Sequence, residues 1–159
     1  MKKILIASLL LIIGFQTFAQ EIPTDFLPAD FHKERRQAVR KMMPPNTVAV
    51  FFANPKRNRA NDVDYIYHQD PDFYYLTGYK EPNAVLLIFS GDQEATDGVA
   101  YNETLYVQKR DARSEQWNGK RLGVEGAKKV LGFERAFNGS EFAKSNLDFK
   151  KFDKVLFFD

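Results

Sequence analysis

The run "TVAVFFA" at residues 47–53, with its counterpart "AVLLIFS" at 84–90, decides the fold. Each is a short, unbroken apolar run rich in β-branched and aromatic side chains. A strand with one wet face alternates apolar and polar residues, whereas an unbroken run is the pattern of a strand covered on both faces. Covering both faces requires elements packed above and below the sheet. The two runs therefore predict an α/β fold with a sheet flanked by helices. "KVLFFD" at 154–159 reads as a further buried strand, and the alternating "ETLYVQK" at 103–109 as a strand with one polar face.

The helical segments are read from spacing. In "DFHKERRQAVRKMM" at 30–43, Phe31, Ala38, Val39, Met42 and Met43 fall on one face, with Asp30 as the N-cap and Pro44 as the stop. Lys33, Arg35, Arg36, Arg40 and Lys41 then form a basic outer face, which is either solvated or binds an anion. "RSEQWNGKRLG" at 113–123 and "GVEGAKKVLG" at 123–132 predict a short helix, a turn at Gly123, and a second helix ended by Gly132. "GSEFAKSNLDFKKF" at 139–152 predicts another amphipathic helix. The aromatic stretch "YIYHQDPDFYYLTGY" at 65–79 reads as a packed strand, Phe73 and Tyr75 facing one way and Tyr74 and Leu76 the other, before a turn or bulge at Gly78.

Composition narrows the chemistry. The 159 residues favour one domain with a real core. With no cysteine, disulfides, thiolate ligands and a cysteine nucleophile are excluded, and two histidines, His32 and His68, exclude a histidine-rich zinc site. Residues 1–19 have the form of a secretory signal peptide: Lys2 and Lys3, the apolar run 4–15, then small residues before a cleavage point near Ala19 or Gln20. The apolar run is well short of the roughly 20 residues that span a bilayer, so a stable membrane span is not expected. The reading places the protein in the periplasm or outside the cell. Removal of Lys2 and Lys3 reduces 23 basic residues to 21, equal to the 21 acidic ones. The mature chain is then neutral, and nucleic-acid binding loses its electrostatic basis. Residues 20–30 form a linker with Pro23 and Pro28.

Candidate chemistry is sparse. No G-x-S-x-G occurs, and around Lys120 the Walker pattern fails because Ser114 and Arg121 stand where glycine and Ser or Thr are required. Asp62, Asp64, Asp70 and Asp72 flank His68 and could be drawn as a metal or acid–base cluster. Pro71 interrupts it, and Asp-Pro is equally a turn or cap signal. Trp117, the one tryptophan, lies in the polar "SEQWNGKR" and either anchors a partner or caps the core.

Together, "ERRQAV", "DFYYLTGYKEPNAVLLI" and "RDARSEQWNGKRLG" resemble the N-terminal domain of bacterial aminopeptidase P, the Xaa-Pro aminopeptidase of the creatinase and prolidase superfamily. The pattern D-F-x-Y-x-T-G-[FY]-x-E-P falls on 72–82, and R-D-x-x-x-E-x-W-x-G-x-R-L-G on 110–123. The resemblance runs from 31 to 159. It implies a mixed sheet flanked by helices, of the ribonuclease H-like type, preceding a C-terminal pita-bread domain. In that second domain two aspartates, a histidine and two glutamates hold a dinuclear site, usually manganese, that activates water against the bond before proline. No motif of that domain occurs in this chain, so the resemblance implies no catalytic residue, metal ligand or cofactor here.

The implied role is to shape the substrate channel and to assemble a dimer or tetramer, with the chain inactive alone. By resemblance, Trp117 reaches towards a neighbouring subunit's active site and Asp62 lies near the free N-terminus of an Xaa-Pro substrate. The chain stops at the end of a strand, which reads as the first domain of a longer protein. The alternatives are a free-standing periplasmic peptide- or protein-binding module, or the N-domain of a prolidase or creatinase relative.

Overall fold

The computed structural model describes residues 27–145 and 147–158. The signal-peptide reading of 1–19 lies outside the described residues. A long helix α1 (Ala29–Met42) leads into strand β1 (Thr47–Phe52), followed by a small hairpin of β2 (Asn58–Ala60) and β3 (Val63–Asp64). Helix α2 (Pro71–Thr77) precedes β4 (Val85–Glu94) and β5 (Ala100–Val107). Helices α3 (Ala112–Asn118) and α4 (Gly123–Leu131), strand β6 (Ala136–Asn138), the single turn α5 (Gly139–Phe142), a 3₁₀ turn (Phe149–Lys151) and β7 (Lys154–Phe158) complete the chain.

Five strands form one mixed sheet in the order β6-β5-β4-β1-β7. β1 runs antiparallel to β4, with Val48 opposite Phe89 and Val50 opposite Leu87, and parallel to β7. β5 is antiparallel to β4 and parallel to β6. Alternation of the strand residues divides the core in two. Ala49, Phe51, Leu86, Ile88, Leu105 and Val107 meet α2 through Phe73 and Leu76, α4 through Ala127 and Leu131, and α1 through Val39. Val48, Val50, Leu87, Phe89 and Tyr106 face the other way, onto Phe142, Leu147, Phe149 and Phe152. Burial of each such Leu, Ile or Phe stabilises the fold by about 1.5–3 kcal/mol. The unbroken runs are thus strands covered on both faces, and the mixed sheet with flanking helices is the architecture expected from them.

Five local expectations are corrected. Residues 71–77 are helical: Asp70 caps α2 by accepting the Phe73 N–H at 2.7 Å, Pro71 occupies the first turn, and Gly78 at φ 70° closes it. Asp30 does not cap α1, which follows Pro28 without a side-chain cap; Asp30 lies in its first turn, where a negative charge complements the helix dipole. Among the described residues of 139–152 there are two separate single turns, Gly139–Phe142 and Phe149–Lys151, instead of one amphipathic helix. β5 has no polar face at its C-terminal half, where Thr104 to Val107 are all buried, and β7 is a partly exposed edge strand.

The basic outer face of α1 also needs revision. Its buried residues are His32 and Arg36, each 1% exposed, with Val39 and Met43 partly buried beside them, while Met42 points outward. The Arg36 side chain reaches β5, donating from Nε and Nη2 to Glu103 at 2.8 and 2.9 Å, and from Nη1 to the Leu76 carbonyl at 2.8 Å. Its guanidinium also lies 4.0 Å from the Phe133 ring centroid. All three elements meeting here, α1, α2 and β5, are locked by one side chain.

Candidate functional site: the Trp117 platform

The stretches 72–82 and 110–123 converge in space. After the left-handed Gly78, the chain turns Tyr79 into the core, and its hydroxyl donates to Glu81 Oε2 at 2.9 Å while accepting the Gln108 N–H at 3.1 Å. Glu81 Oε1 accepts the Leu122 N–H at 2.6 Å. One half-buried carboxylate therefore fastens the loop after α2 to the end of β5 and to the start of α4. Burial pushes the Glu81 carboxyl above its ordinary range, opposed by the Leu122 and Tyr79 hydrogen bonds and by nearby Arg121. Burial, then the Glu81 charge, pushes the Tyr79 phenol up as well.

Gln69 extends the network to the other side. Its Nε2 donates to the carbonyls of Tyr79 and Glu81 at 3.2 and 2.9 Å, and its Oε1 accepts from Asn54 N, Asp70 N and the Tyr67 hydroxyl. Burial, and secondarily Asp70, raises the Tyr67 phenol to about 12.

On the platform so built stands α3. Asp111 caps it by accepting the Ser114 N–H at 2.7 Å, and hydrogen bonding from the Ser114 side chain, then from its backbone, draws the Asp111 carboxyl below its usual range. Glu115 takes a bidentate pair from Arg110 at 3.1 and 2.9 Å and accepts the Asp111 N–H at 3.2 Å. The Arg110 chain passes over Gly123, where a Cβ would come within 2.5 Å of Arg110 Cγ at a φ of +63°. Only glycine fits there. α3 itself buries no residue, and Trp117 is 85% exposed. The polar residues of 110–123 thus hold a short helix whose large aromatic projects into solvent. Trp117 does not cap the core.

Asp62 is elsewhere. It sits exposed at the β2–β3 turn, next to Asn61 at φ 50°, and shares no hydrogen bond, ion pair or cavity with Trp117 among the described residues. The apolar residues beside it, Val63, Tyr65 and Ile66, are exposed too. The carboxylates around His68 do not assemble: Asp70 caps α2, Asp64 lies 3.8 Å from Lys56, and Asp72 is exposed in the first turn of α2. Among the described residues no three His, Asp or Glu converge to hold a metal. A dinuclear manganese centre does not fit the donor groups of the described residues.

Spacing alone did not single out Tyr79, Glu81, Gln69 or Arg36. For Arg36 a signal existed, since positions 32, 36, 39 and 43 repeat at helical intervals.

Fold and contacts together define an α/β domain built on a five-stranded mixed sheet. Residues 32–155 match the family model described as aminopeptidase P, N-terminal domain, and the chain belongs to that family. It is 38% identical over 117 residues to the Xaa-Pro aminopeptidase of Haemophilus influenzae and 39% identical over 109 residues to that of Escherichia coli, covering 74% and 69% of this chain. Among solved structures, Pseudomonas aeruginosa aminopeptidase PepP superimposes with a TM-score of 0.66 at 34% identity over 75% of this chain. Escherichia coli aminopeptidase P with the inhibitor Pro-Leu gives 0.69 at 32% identity over 83%. The chain spans 26% and 24% of the lengths of the two curated relatives, and 26% and 29% of the two solved chains.

Proposed function

We propose that this chain is the N-terminal domain of an exported Xaa-Pro aminopeptidase, that it shapes the substrate channel and assembles a dimer or tetramer, and that it has no peptidase activity alone. The metal-bearing chemistry, with a dinuclear manganese centre, belongs in this reading to a C-terminal domain of the same protein. The observation that carries the reading is Trp117: a large aromatic on a helix with no buried residue, held by Arg110, Asp111 and Glu115. Leaving such a side chain in water has no stabilising value to the isolated domain, and aromatic anchors of this kind favour contact with another surface. Trp117 then covers the substrate end of a neighbouring subunit's active site. Asp62 supplies a carboxylate near the ammonium of the peptide's free N-terminus, a charge-assisted pairing that selects unblocked peptides.

The test compares the purified chain, with manganese added, against the full-length protein on an Xaa-Pro peptide. Release of the first residue is expected from the full-length protein and not from the chain. Measurable release by the pure chain contradicts the reading.

A further inference from the structure

Across the sheet from α1, α2 and α4 lies an open cleft of about 640 Å³, the size of small-molecule sites. It is lined by the aromatic side of the sheet, Phe89, Tyr101, Tyr106 and Phe137, and by Phe152. One arginine enters this apolar surround. The Arg135 guanidinium carbon lies 4.1 Å from the Tyr101 ring centroid and 5.3 Å from that of Phe137. Its Nε is buried without a hydrogen-bond partner, and among the described residues its side chain has no ion pair.

The contrast with Arg36 is informative. Arg36 is buried with all three nitrogens donating, two of them to a carboxylate. Arg135 keeps the same planar fork stacked on rings with its capacity for a bidentate acceptor unused. An unmet buried donor is costly, and a native fold that keeps one meets it with ordered water, an ion or a bound group. The charged residues lining the cleft balance, Arg135, Lys144 and Lys151 against Glu94, Glu141 and Asp148, so the preference for an anion rests on the unused Arg135 fork and not on net charge. Of the acidic residues lining the cleft, Glu141 already accepts the Asn138 N–H at 2.7 Å and Asp148 the Lys150 N–H at 3.0 Å, each starting a helical turn.

We infer that this cleft is a binding site for a small carboxylate with an apolar or aromatic body, the carboxylate pairing with Arg135 and the body lying on the aromatic wall. The walls argue against a bare inorganic anion, which would leave them wet. The site is independent of the Trp117 reading and lies on the opposite face of the sheet from the core to which α2 and α4 belong.

The experiment titrates the full chain with 3-phenylpropionate, its neutral analogue 3-phenylpropanol, and acetate, by calorimetry and by tyrosine-resolved NMR. The acid is expected to saturate and to shift Tyr101 and Tyr106, with the alcohol weaker by about tenfold or more and acetate not saturating. Arg135→Gln is expected to melt near the wild-type temperature and to weaken the acid by about tenfold. Failure of the acid to saturate by about 10 mM, equal affinity for acid and alcohol, or shifts confined to another face overturns the proposal. The comparison of acid with alcohol uses the wild-type chain, so it decides even where Arg135→Gln fails to fold.

Discussion

The Glu81 carboxylate accepts the Leu122 N–H at 2.6 Å across 41 positions of sequence, and through its other oxygen it accepts the Tyr79 hydroxyl. This junction ties the α2 loop to the start of α4 and so fixes the span that carries α3. Glu81→Ala leaves a buried hydroxyl without its acceptor and the Leu122 amide without a partner. Loss of about 1–3 kcal/mol is expected, read as a lower urea midpoint at unchanged slope. Hydrogen exchange at 111–122 should accelerate more than exchange in β1 and β4.

Arg36 and Glu103 form a bidentate pair with the arginine side chain fully buried and the glutamate side chain 19% exposed. Removing one partner strands the other charge. Arg36→Ala or Glu103→Leu should each cost about 3–5 kcal/mol, whereas Arg36→Met combined with Glu103→Leu should cost less than the two single changes summed. Arg36→Lys should not rescue, because an ammonium cannot serve Glu103 and the Leu76 carbonyl with the same fork geometry. Urea unfolding of the four variants measures this.

His32 gives the fold a pH dependence of known sign. Burial is the main cause that lowers its pKa below 6.5, against the Tyr75 carbonyl accepting at 2.8 Å from Nδ1. The unfolded chain takes up this proton first as pH falls, so the stabilising contribution is complete above pH 6.5 and is lost as pH drops through the lower folded value. Glu81, raised above 4.5, acts oppositely: the folded state gains its proton first, and stability from it grows as pH falls. The difference between wild type and His32→Gln isolates the imidazole. Its stability advantage should shrink on acidification from pH 7.5; an advantage that grows would contradict the assignment.

The sheet was legible because its strands carry unbroken β-branched and aromatic runs, a pattern that few alternatives produce. In sequence, residues 71–77 read as a strand because period-two alternation in "DFYYL" outweighs three helix signals: Asp70 as cap, Pro71 in the first turn and Gly78 as the left-handed end. A seven-residue helix is too short for a clear 3.6-residue period, and its caps are the stronger information. In sequence the charges of α1 suit either a solvated face or an anion site, because the partner of Arg36 lies 67 positions away, on a strand whose Glu103 has the pattern of a wet face. Trp117 was legible as an unusual residue in polar company, yet only the structure separates an exposed aromatic from a core cap. The Glu81 junction had no local signal at all, since its donors come from distant segments.

On the proposed function, the platform holds Trp117 outward for contact with a substrate-bearing surface and not for the stability of this domain. Trp117→Ala in the full-length protein is the direct measurement, reading kcat/KM on an Xaa-Pro peptide beside the melting temperature. The account predicts a stability change within about 0.5 kcal/mol and a fall in kcat/KM of about tenfold or more. A variant that keeps the wild-type kcat/KM, or that loses it only by unfolding, would contradict the account.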